Sequence, residues 1–349
     1  MRDGDWYLGY NSYDNLPGAA LTFGREASGI YCLREPDLTY ADPEVGDAGM
    51  PGEDGIRLGR DYQRSATVTF ELGVDGVNGP VDRHYPMRPW SQGSRIGAWT
   101  DAEKVMAYAH KLDGPEAWVS EGVDMLRQAW RADAIRLKPS RVAWLLHRKA
   151  GRTRRMYGRP RNIGVSHSRL TKQGYTPVVA DFTAIDDRFY DETEKSEELW
   201  DFYIAGRPPV PWRPVTNDGQ LYFTTSQKTK LVKHLGRLPT YPVIVINGPC
   251  KNPKVTLHPS LWAVQLTMTI AASDYVTIDP RPWARTVIHT KGATTLSVAN
   301  QLTRASPRLG EMAVPPGNWT AQLSYTRSSS KYLDGPRVEI KWRDAYAWW

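Results

Sequence analysis

Alternation of apolar and polar residues with a period of two is the feature that most limits what this chain can fold into. It is clearest at 262–270, 319–326 and 338–343, where every second side chain is apolar. Because side chains of a strand point alternately to its two faces, each segment predicts a strand with one buried face. Shorter strands are predicted at 221–225, 243–246, 275–278 and 283–289, and a helix is considered only at 229–235. Seven or eight short strands separated by turn signals are typical of a β-sandwich.

A chain of 349 residues suits two domains rather than one core. The boundary is predicted at Thr176–Asp191, where a strand-like alternation runs into aspartates. We therefore expect a first domain at 1–191, a charged and proline-rich linker at 192–215, and a β-sandwich at 216–349. No apolar run approaches about 20 residues and no secretory signal opens the sequence, so neither membrane insertion nor export is expected. The two cysteines fall in different predicted domains, so we expect free thiols.

The first domain is predicted to be β-rich with a helical insertion at about 100–131. The sequence TDAE forms a capping box at Thr100, which indicates the start of a helix. Gly114 and Pro115 are predicted to interrupt it. A second helix then follows, with its apolar stripe formed by Trp118, Val123, Leu126 and Trp130.

Charge in this domain is strongly segregated, although the net charge of the chain is only +7. Residues 35–57, the acidic arm, carry turn formers and few large apolar residues, which predicts a long excursion from the sheet. The basic hairpin at 148–161 lies in a stretch, 134–180, that contains no acidic residue. Neither group has an opposite charge nearby in sequence, so we expect distant partners, solvent or another chain. The subunit-interface candidates are Glu35, Asp37, Asp42, Glu44, Asp47, Glu53, Asp54, Arg148, Arg152, Arg154, Arg155, Arg159 and Arg161.

The common motifs for nucleotide binding, zinc binding and acyl transfer are absent, and the seven histidines show no ligand spacing. The acidic arm also lacks the regular ligand spacing of known calcium loops. We therefore predict no catalytic residue, no metal site and no cofactor. The basic hairpin leaves nucleic-acid binding open as an alternative. The tryptophans leave carbohydrate binding open, although Trp262, Trp319 and Trp342 fall on predicted buried faces, and Trp348 and Trp349 are expected to pack against a domain or a partner.

The order of these segments resembles the distal tail proteins, or minor tail proteins, of long-tailed bacteriophages. The matching segments span nearly the whole chain: a β domain with a long polar arm, a helical insertion, the hairpin GRTRRMYGRPRN and the strand ending ADFTAIDDRFYD. They continue with INGPCKNPKV, TMTIAASDYVTIDPRPWARTV, PPGNWTAQLSYT and VEIKWRDAYAWW. The polar stretch at 76–99 and the segment 192–215 depart from short members of the family.

The resemblance implies a mainly β fold with a tail-tube-like first domain and a galectin-like second domain. It also implies a structural virion protein at the tail tip, made in the host cytoplasm and not an enzyme. Such a protein forms a ring, commonly a hexamer, that joins the tail tube protein to the tail-tip hub protein and supports other tip or receptor-binding proteins. The charge segregation agrees with head-to-tail self-association, in which unlike patches meet.

Overall fold

The computed structural model describes most of the chain, namely residues 1–50, 54, 56–59, 61–76, 114–205, 214–216, 221–259, 261–326 and 335–349. The predicted mainly β class is confirmed, because strands dominate and helices are few. The chain divides into Met1–Phe189 with Trp348–Trp349, called the first unit, and Tyr190–Ala347, called the second unit. No helix within the described ranges has the length and hydropathy required to cross a membrane.

One antiparallel sheet forms the frame of the first unit. Its strands follow the order β2, β1, β8, β9, β10, β7, β3, and β4 also pairs with β7. The bounds of the strands are β1 (Trp6–Tyr10), β2 (Ala19–Phe23), β3 (Ile30–Cys32), β4 (Asp37–Tyr40), β5 (Ala48–Gly49), β6 (Ile56–Arg57), β7 (Ala66–Asp75), β8 (Ala143–Lys149), β9 (Arg152–Val165) and β10 (Tyr175–Ala184), and β11 (Phe189–Asp191) spans the division between the units. The helices are α1 (Gly114–Arg131), α2 (Asp133–Arg136) and α3 (Arg169–Lys172), with a short 3-10 turn at Glu26–Ser28.

Helix α1 packs its apolar stripe on this sheet. Val123, Leu126 and Trp130 are buried, which confirms the second predicted helix. Trp130 meets Phe23 and Phe70 at ring-centroid distances of 5.8 and 6.1 Å, so the helix and two strands share one aromatic cluster. Gly114 and Pro115 are the first two residues of α1, and the residues before them, where the predicted interruption would show, lie outside the described ranges. The predicted first helix at 100–113 lies outside the described residues.

Two sheets build the second unit. The larger has the order β13, β14, β12, β24, β16, β20, β21, β22, and the smaller has β15, β23, β17, β18, with β19 beside β17. The bounds are β12 (Lys195–Ala205), β13 (Pro214–Thr216), β14 (Leu221–Gln227), β15 (Thr229–His234), β16 (Val243–Asn247), β17 (Cys250–His258), β18 (Trp262–Gln265), β19 (Thr269–Ile270), β20 (Tyr275–Asp279), β21 (Thr286–Lys291), β22 (Thr294–Ser297), β23 (Gly317–Thr326), β24 (Arg337–Trp342) and β25 (Ala345–Tyr346), with 3-10 turns at Ala299–Gln301 and Leu309–Glu311.

The inward faces of these two sheets share one core, as the alternation predicted. Ile244 and Val338 come from the larger sheet, and Val255 and Leu323 come from the smaller one. All four are essentially inaccessible to solvent. The second unit is therefore a β-sandwich, because two sheets bury their apolar faces against each other.

Three predictions for the second unit were wrong in detail. The segment 192–215 was predicted to be a linker, but it contains β12, which pairs with β14 and β24 inside the larger sheet. The helix considered at 229–235 is strand β15, whose Val232 lies in the core. The single strand predicted at 262–270 is divided into β18 and β19. In β12 the consecutive Glu197 and Glu198 conceal the alternation. Glu197 forms an ion pair with Lys230 of β15 in the smaller sheet, and Glu198 forms one with Arg337 of the adjacent β24.

Candidate interaction surface

The acidic arm divides into a paired part and a projecting part. Residues 37–40 form β4 and pair with β7, so this part of the predicted excursion was wrong. The rest is residues 41–65, called the projecting loop, between β4 and β7. It is held by its own contacts: Glu44 and Tyr62 exchange two backbone hydrogen bonds of 2.9 Å, and β5 pairs with β6. Every described residue from 41 to 64 is exposed, so none of these described residues belongs to the core of the first unit.

Five large apolar side chains of the projecting loop face solvent. Their exposed fractions lie between 39% and 77%, with Leu58 the most exposed, and they are Val45, Met50, Ile56, Leu58 and Tyr62. Isolated exposed hydrophobic residues are normal on protein surfaces, but a concentration of them marks an interaction site. In the sequence these residues are too few to predict a packed strand, and none of them was predicted to have a role.

The acidic residues at the base of the arm have partners within the chain. Glu35 forms an ion pair with Lys149 of β8, and the Lys149 ammonium lowers the pKa of the Glu35 carboxyl. Asp37 lies 2.8 Å from Arg34, only three residues earlier. The prediction that no local pairing occurs was therefore wrong for Asp37, because Arg34 stands just outside the acidic stretch.

The carboxylates of the projecting loop have fewer ion-pair and hydrogen-bond partners than those at the base of the arm. Asp47 accepts a hydrogen bond of 2.8 Å from the backbone of Gly59, and Glu44 lies 3.8 Å from Arg64. Asp42 and Asp54 are exposed and have no ion-pair partner among the residues that the structure describes. Glu53 lies outside that part of the chain.

Most arginines of the basic hairpin make contacts within the first unit. Arg148 lies 3.2 Å from Asp3. Arg154 is buried and donates to the backbone carbonyl of Trp348, which belongs to the same unit. The Arg155 guanidinium lies over the ring of Tyr157, 5.9 Å from its centroid.

Arg159 binds the end of a helix. Its guanidinium donates to the backbone carbonyls of Arg136, Lys138, Pro139 and Arg141, including a 2.7 Å bond to Arg141. Carbonyls at a helix end lack partners within the helix, so a cation there satisfies them. Burial, together with nearby Arg161, lowers the pKa of the Arg159 side chain. This role explains one conspicuous arginine without any external partner.

Two hairpin arginines remain exposed and unpaired within the described ranges, Arg152 and Arg161. They stand nine positions apart on β9, which corresponds to roughly 30 Å along a strand. The arginines of the basic hairpin therefore do not form one continuous cationic surface.

The next residues to consider are the potential metal ligands and the two cysteines in the described part of the chain. No group of three or more histidine, cysteine, aspartate or glutamate side chains converges there as a metal site. Cys32 and Cys250 are both free, which confirms that prediction. Burial raises the pKa of each thiol to about 12, so neither is a reactive thiolate at neutral pH.

The tryptophans divide between core and surface. Trp262 and Trp342 are buried in the second unit, as predicted, and the half-buried Trp319 packs against the same core. Trp349 packs in the first unit, with ring centroids 4.3 Å from Phe189 and 4.8 Å from Trp6. These aromatic residues are therefore used for packing, and they do not form a row of exposed rings that would stack on a sugar.

The fold was compared with known proteins. No family model and no curated protein sequence matches the chain. Similar solved structures are phage hub and baseplate proteins. One is the SPP1 Dit protein (gp 19.1), described as a paradigm of the hub adsorption apparatus in phages that infect Gram-positive bacteria; it has a TM-score of 0.44 and 11% identity, and the match covers 97% of this chain and 98% of that one.

Two further similar structures belong to the phage P2 baseplate in its activated conformation. The structure with Ca has a TM-score of 0.44 and 12% identity, and the structure with Sr has a TM-score of 0.43 and 11% identity. Each match covers 97% of this chain and 97% of that one.

Proposed function

We propose that this protein is a structural component of a phage tail tip, with no enzymatic activity. It self-associates into a closed ring, six copies being the number that the family resemblance implies. The ring joins the tail tube to the tail-tip hub and carries peripheral tip proteins, with the second unit as a galectin-like platform. The observation that carries the proposal is the projecting loop, which exposes five large hydrophobic side chains and whose described residues from 41 to 64 are all exposed.

The composition of the loop favours a protein partner. Burying one exposed aliphatic side chain contributes about 1.5–3 kcal/mol when burial is complete. At their exposed fractions these five side chains contribute roughly 4–9 kcal/mol on complete burial, which is comparable to the lower estimates of the cost of association, about 4–15 kcal/mol. A loop so exposed is otherwise a liability for aggregation, which indicates that a partner covers it in the working assembly.

The charges of the first unit favour a second copy as that partner. Asp42 and Asp54 lie unpaired on the projecting loop within the described ranges, whereas the unpaired Arg152 and Arg161 lie elsewhere on the same unit. Contacts between two different surfaces of one chain are heterologous, and such contacts produce rings when the rotation closes. The intramolecular roles of Arg154 and Arg159 reduce the case for nucleic-acid binding through the hairpin, since phosphate neutralisation needs free cations.

The test is the state of assembly of the purified full chain and of one loop variant. Sedimentation velocity and negative-stain electron microscopy should reveal rings for the wild type. The variant Ile56→Ser with Leu58→Ser should lose them while its melting temperature stays unchanged, because both side chains are solvent-exposed. The matched control is Leu137→Ser with Leu296→Ser, whose side chains are 76% and 61% exposed against 77% and 59% in the loop.

A wild type that stays monomeric at every concentration, and that binds neither tail-tube nor hub protein, would refute the proposal. If rings still form after the loop substitutions, the loop is not part of the interface. A separate pair of substitutions, Arg152→Glu and Arg161→Glu, addresses the nucleic-acid alternative. If these leave the rings intact but abolish retention on a DNA column at moderate salt, the hairpin binds nucleic acid instead.

A further inference from the structure

Trp348 and Trp349, called the strap, contact a row of buried side chains on the sheet of the first unit. Three adjacent strands build this row, because Trp6 of β1 pairs with His147 of β8, and His147 pairs with Arg154 of β9. Directly paired residues of neighbouring strands place their side chains on the same face. The ring of Trp349 lies 4.8 Å from Trp6 and 5.1 Å from His147, between centroids. Arg154 donates to the backbone carbonyl of Trp348, so the strap contacts every member of the row.

His147 is the member of the row whose charge can change near neutral pH. Its ring is stacked on Trp6 with centroids 4.0 Å apart, and only 7% of the residue is exposed. Nδ1 lies 3.2 Å from the backbone carbonyl of Asp5. Because a carbonyl only accepts, Nδ1 carries the proton of the neutral ring, and Nε2 is the atom that takes up a second proton. Nε2 has no hydrogen-bond partner among the residues that the structure describes, so the site is built for the neutral ring.

The groups around His147 have opposing effects on its pKa. Burial has the largest effect and lowers the pKa, and the ammonium of Lys149 lowers it as well. The carbonyl of Asp5 and the carboxylates of Glu35 and Asp3 raise it, but the pKa of His147 is lowered overall. The neutral ring is therefore the favoured form while the strap is in place.

Arg154 connects the charge of His147 to the second attachment of the strap. The two side chains occupy directly opposite positions on β8 and β9, where like charges are destabilising. Glu35 does not neutralise an added positive charge at His147, because it is already paired with Lys149. An imidazolium therefore disfavours the position of the guanidinium that binds the carbonyl of Trp348.

We propose that the strap is an acid-sensitive latch: protonation of His147 releases Trp348 and Trp349 and exposes the rings of Trp6 and His147 to solvent. Release admits water to Nε2, which supplies the acceptor that the closed site lacks. The pKa of His147, lowered while the strap is attached, then returns toward its ordinary value of about 6.5. Release is therefore coupled to proton uptake, so attachment is strongest above about pH 6.5 and weakens as the pH falls.

Hydroxyl-radical footprinting of the full chain tests the latch, with oxidation of each aromatic residue measured by tandem mass spectrometry. Tyr275 of the second unit, 38% exposed, is the internal reference. Between about pH 7.5 and about pH 5, oxidation of Trp349 relative to Tyr275 should rise about two-fold or more, since each unit by which a pKa is lowered corresponds to about a ten-fold change in the linked equilibrium. Glu35 and Asp344, whose pKa values are lowered, stay ionised over this range.

Two histidine variants separate the latch from a general effect of acid. His147→Phe keeps an aromatic ring beside Trp6 but cannot be protonated, and the carbonyl of Asp5 retains its 3.1 Å bond from the backbone of Arg148. This variant should protect Trp349 equally at both pH values. His258→Phe is the matched control, because His258 is an exposed histidine of the second unit, and it should respond as the wild type does.

A rise in the wild type and in His258→Phe, with none in His147→Phe, supports the latch. Equal protection of Trp349 at both pH values in the wild type, or a rise that persists in His147→Phe, overturns it. A parallel rise at Trp262, which is 7% exposed in the core of the second unit, shows acid unfolding in place of release and overturns it too. Circular dichroism checks folding, and His147→Gln, which is also uncharged, replaces His147→Phe with the same expected result if that variant does not fold.

Discussion

Removal of the last side chain of the sequence, Trp349→Ala, should destabilise the first unit. The ring of Trp349 lies 4.8 Å from Trp6, 5.1 Å from His147 and 4.3 Å from Phe189, between centroids, in edge-on or T-shaped arrangements. Trp6 and His147 are themselves stacked at 4.0 Å. The substitution therefore removes one wall of an aromatic cluster that connects β1 with β8.

The size of the effect follows from the burial of this ring. Complete removal of a fully buried tryptophan side chain costs about 3–5 kcal/mol. Trp349 is only partly buried, but it keeps three edge-on partners, each contributing about 0.5–1.5 kcal/mol. We expect a loss of about 2–3 kcal/mol in the free energy of unfolding of the first unit. For a unit of this size the melting temperature should fall by roughly 5–10 °C.

The neighbouring Trp348 provides the control. Its side chain is 54% exposed, and its bond to Arg154 uses the backbone carbonyl, which substitution retains. Trp348→Ala should therefore cost less than about 1 kcal/mol. Calorimetry measures both melting temperatures, and hydrogen exchange of peptides from β1 and β8 assigns the loss to the first unit. Equal shifts for the two variants would refute the proposed packing role of Trp349.

Three other predictions concern single elements. The pKa of Asp344 is lowered overall: burial acts to raise it, but hydrogen bonds from His234 and other donors outweigh burial. This carboxylate therefore stabilises the second unit above about pH 4, and the stabilisation is lost as the pH falls further. Asp344→Asn should reduce this loss of stability at acid pH, measured by urea titration at several pH values. Arg159→Ala should destabilise the first unit by about 1–2 kcal/mol in chemical denaturation, and Arg159→Lys should not rescue it because lysine lacks the planar fork. A fragment of residues 190–347 should melt cooperatively, whereas 208–349 should aggregate because it lacks β12, an inner strand of the larger sheet; equal folding of both would refute this role.

Strands were predictable where one face carries an uninterrupted row of apolar residues. At β23 and β24 the alternation in sequence corresponds directly to the pattern of buried and exposed residues. The same rule missed β12, because the consecutive Glu197 and Glu198 put a charge on each face of the strand, and both charges pair with residues far away in sequence. A charged strand face looks like a linker when its partners lie far away in sequence. Only the sheet order shows that Glu198 stands beside Arg337.

Charge segregation along the sequence gave a poor guide to charge exposure in the fold. The acidic and basic segments meet within one chain at Glu35 and Lys149, 114 positions apart, because the strand order carries the two segments to the same sheet. Arg159 donates hydrogen bonds to backbone carbonyls at the end of α2, and such neutral partners do not appear when only charged residues are counted. The arginine candidates that keep their charge available, Arg152 and Arg161, had no distinguishing mark in the sequence.

The apolar residues of the projecting loop offered a usable signal. Val45, Met50, Ile56, Leu58 and Tyr62 are irregularly spaced, so the set as a whole follows neither a period of two nor one of 3.6. A set of apolar residues without such a period does not line one face of a strand or helix, so regular secondary structure of its own chain does not bury it. When several such residues stand together among charges and turn formers, exposure is the expected result, and a partner is the physical reason to retain them. An irregularly spaced set of apolar residues is therefore a sequence signal for this loop, in addition to its charges.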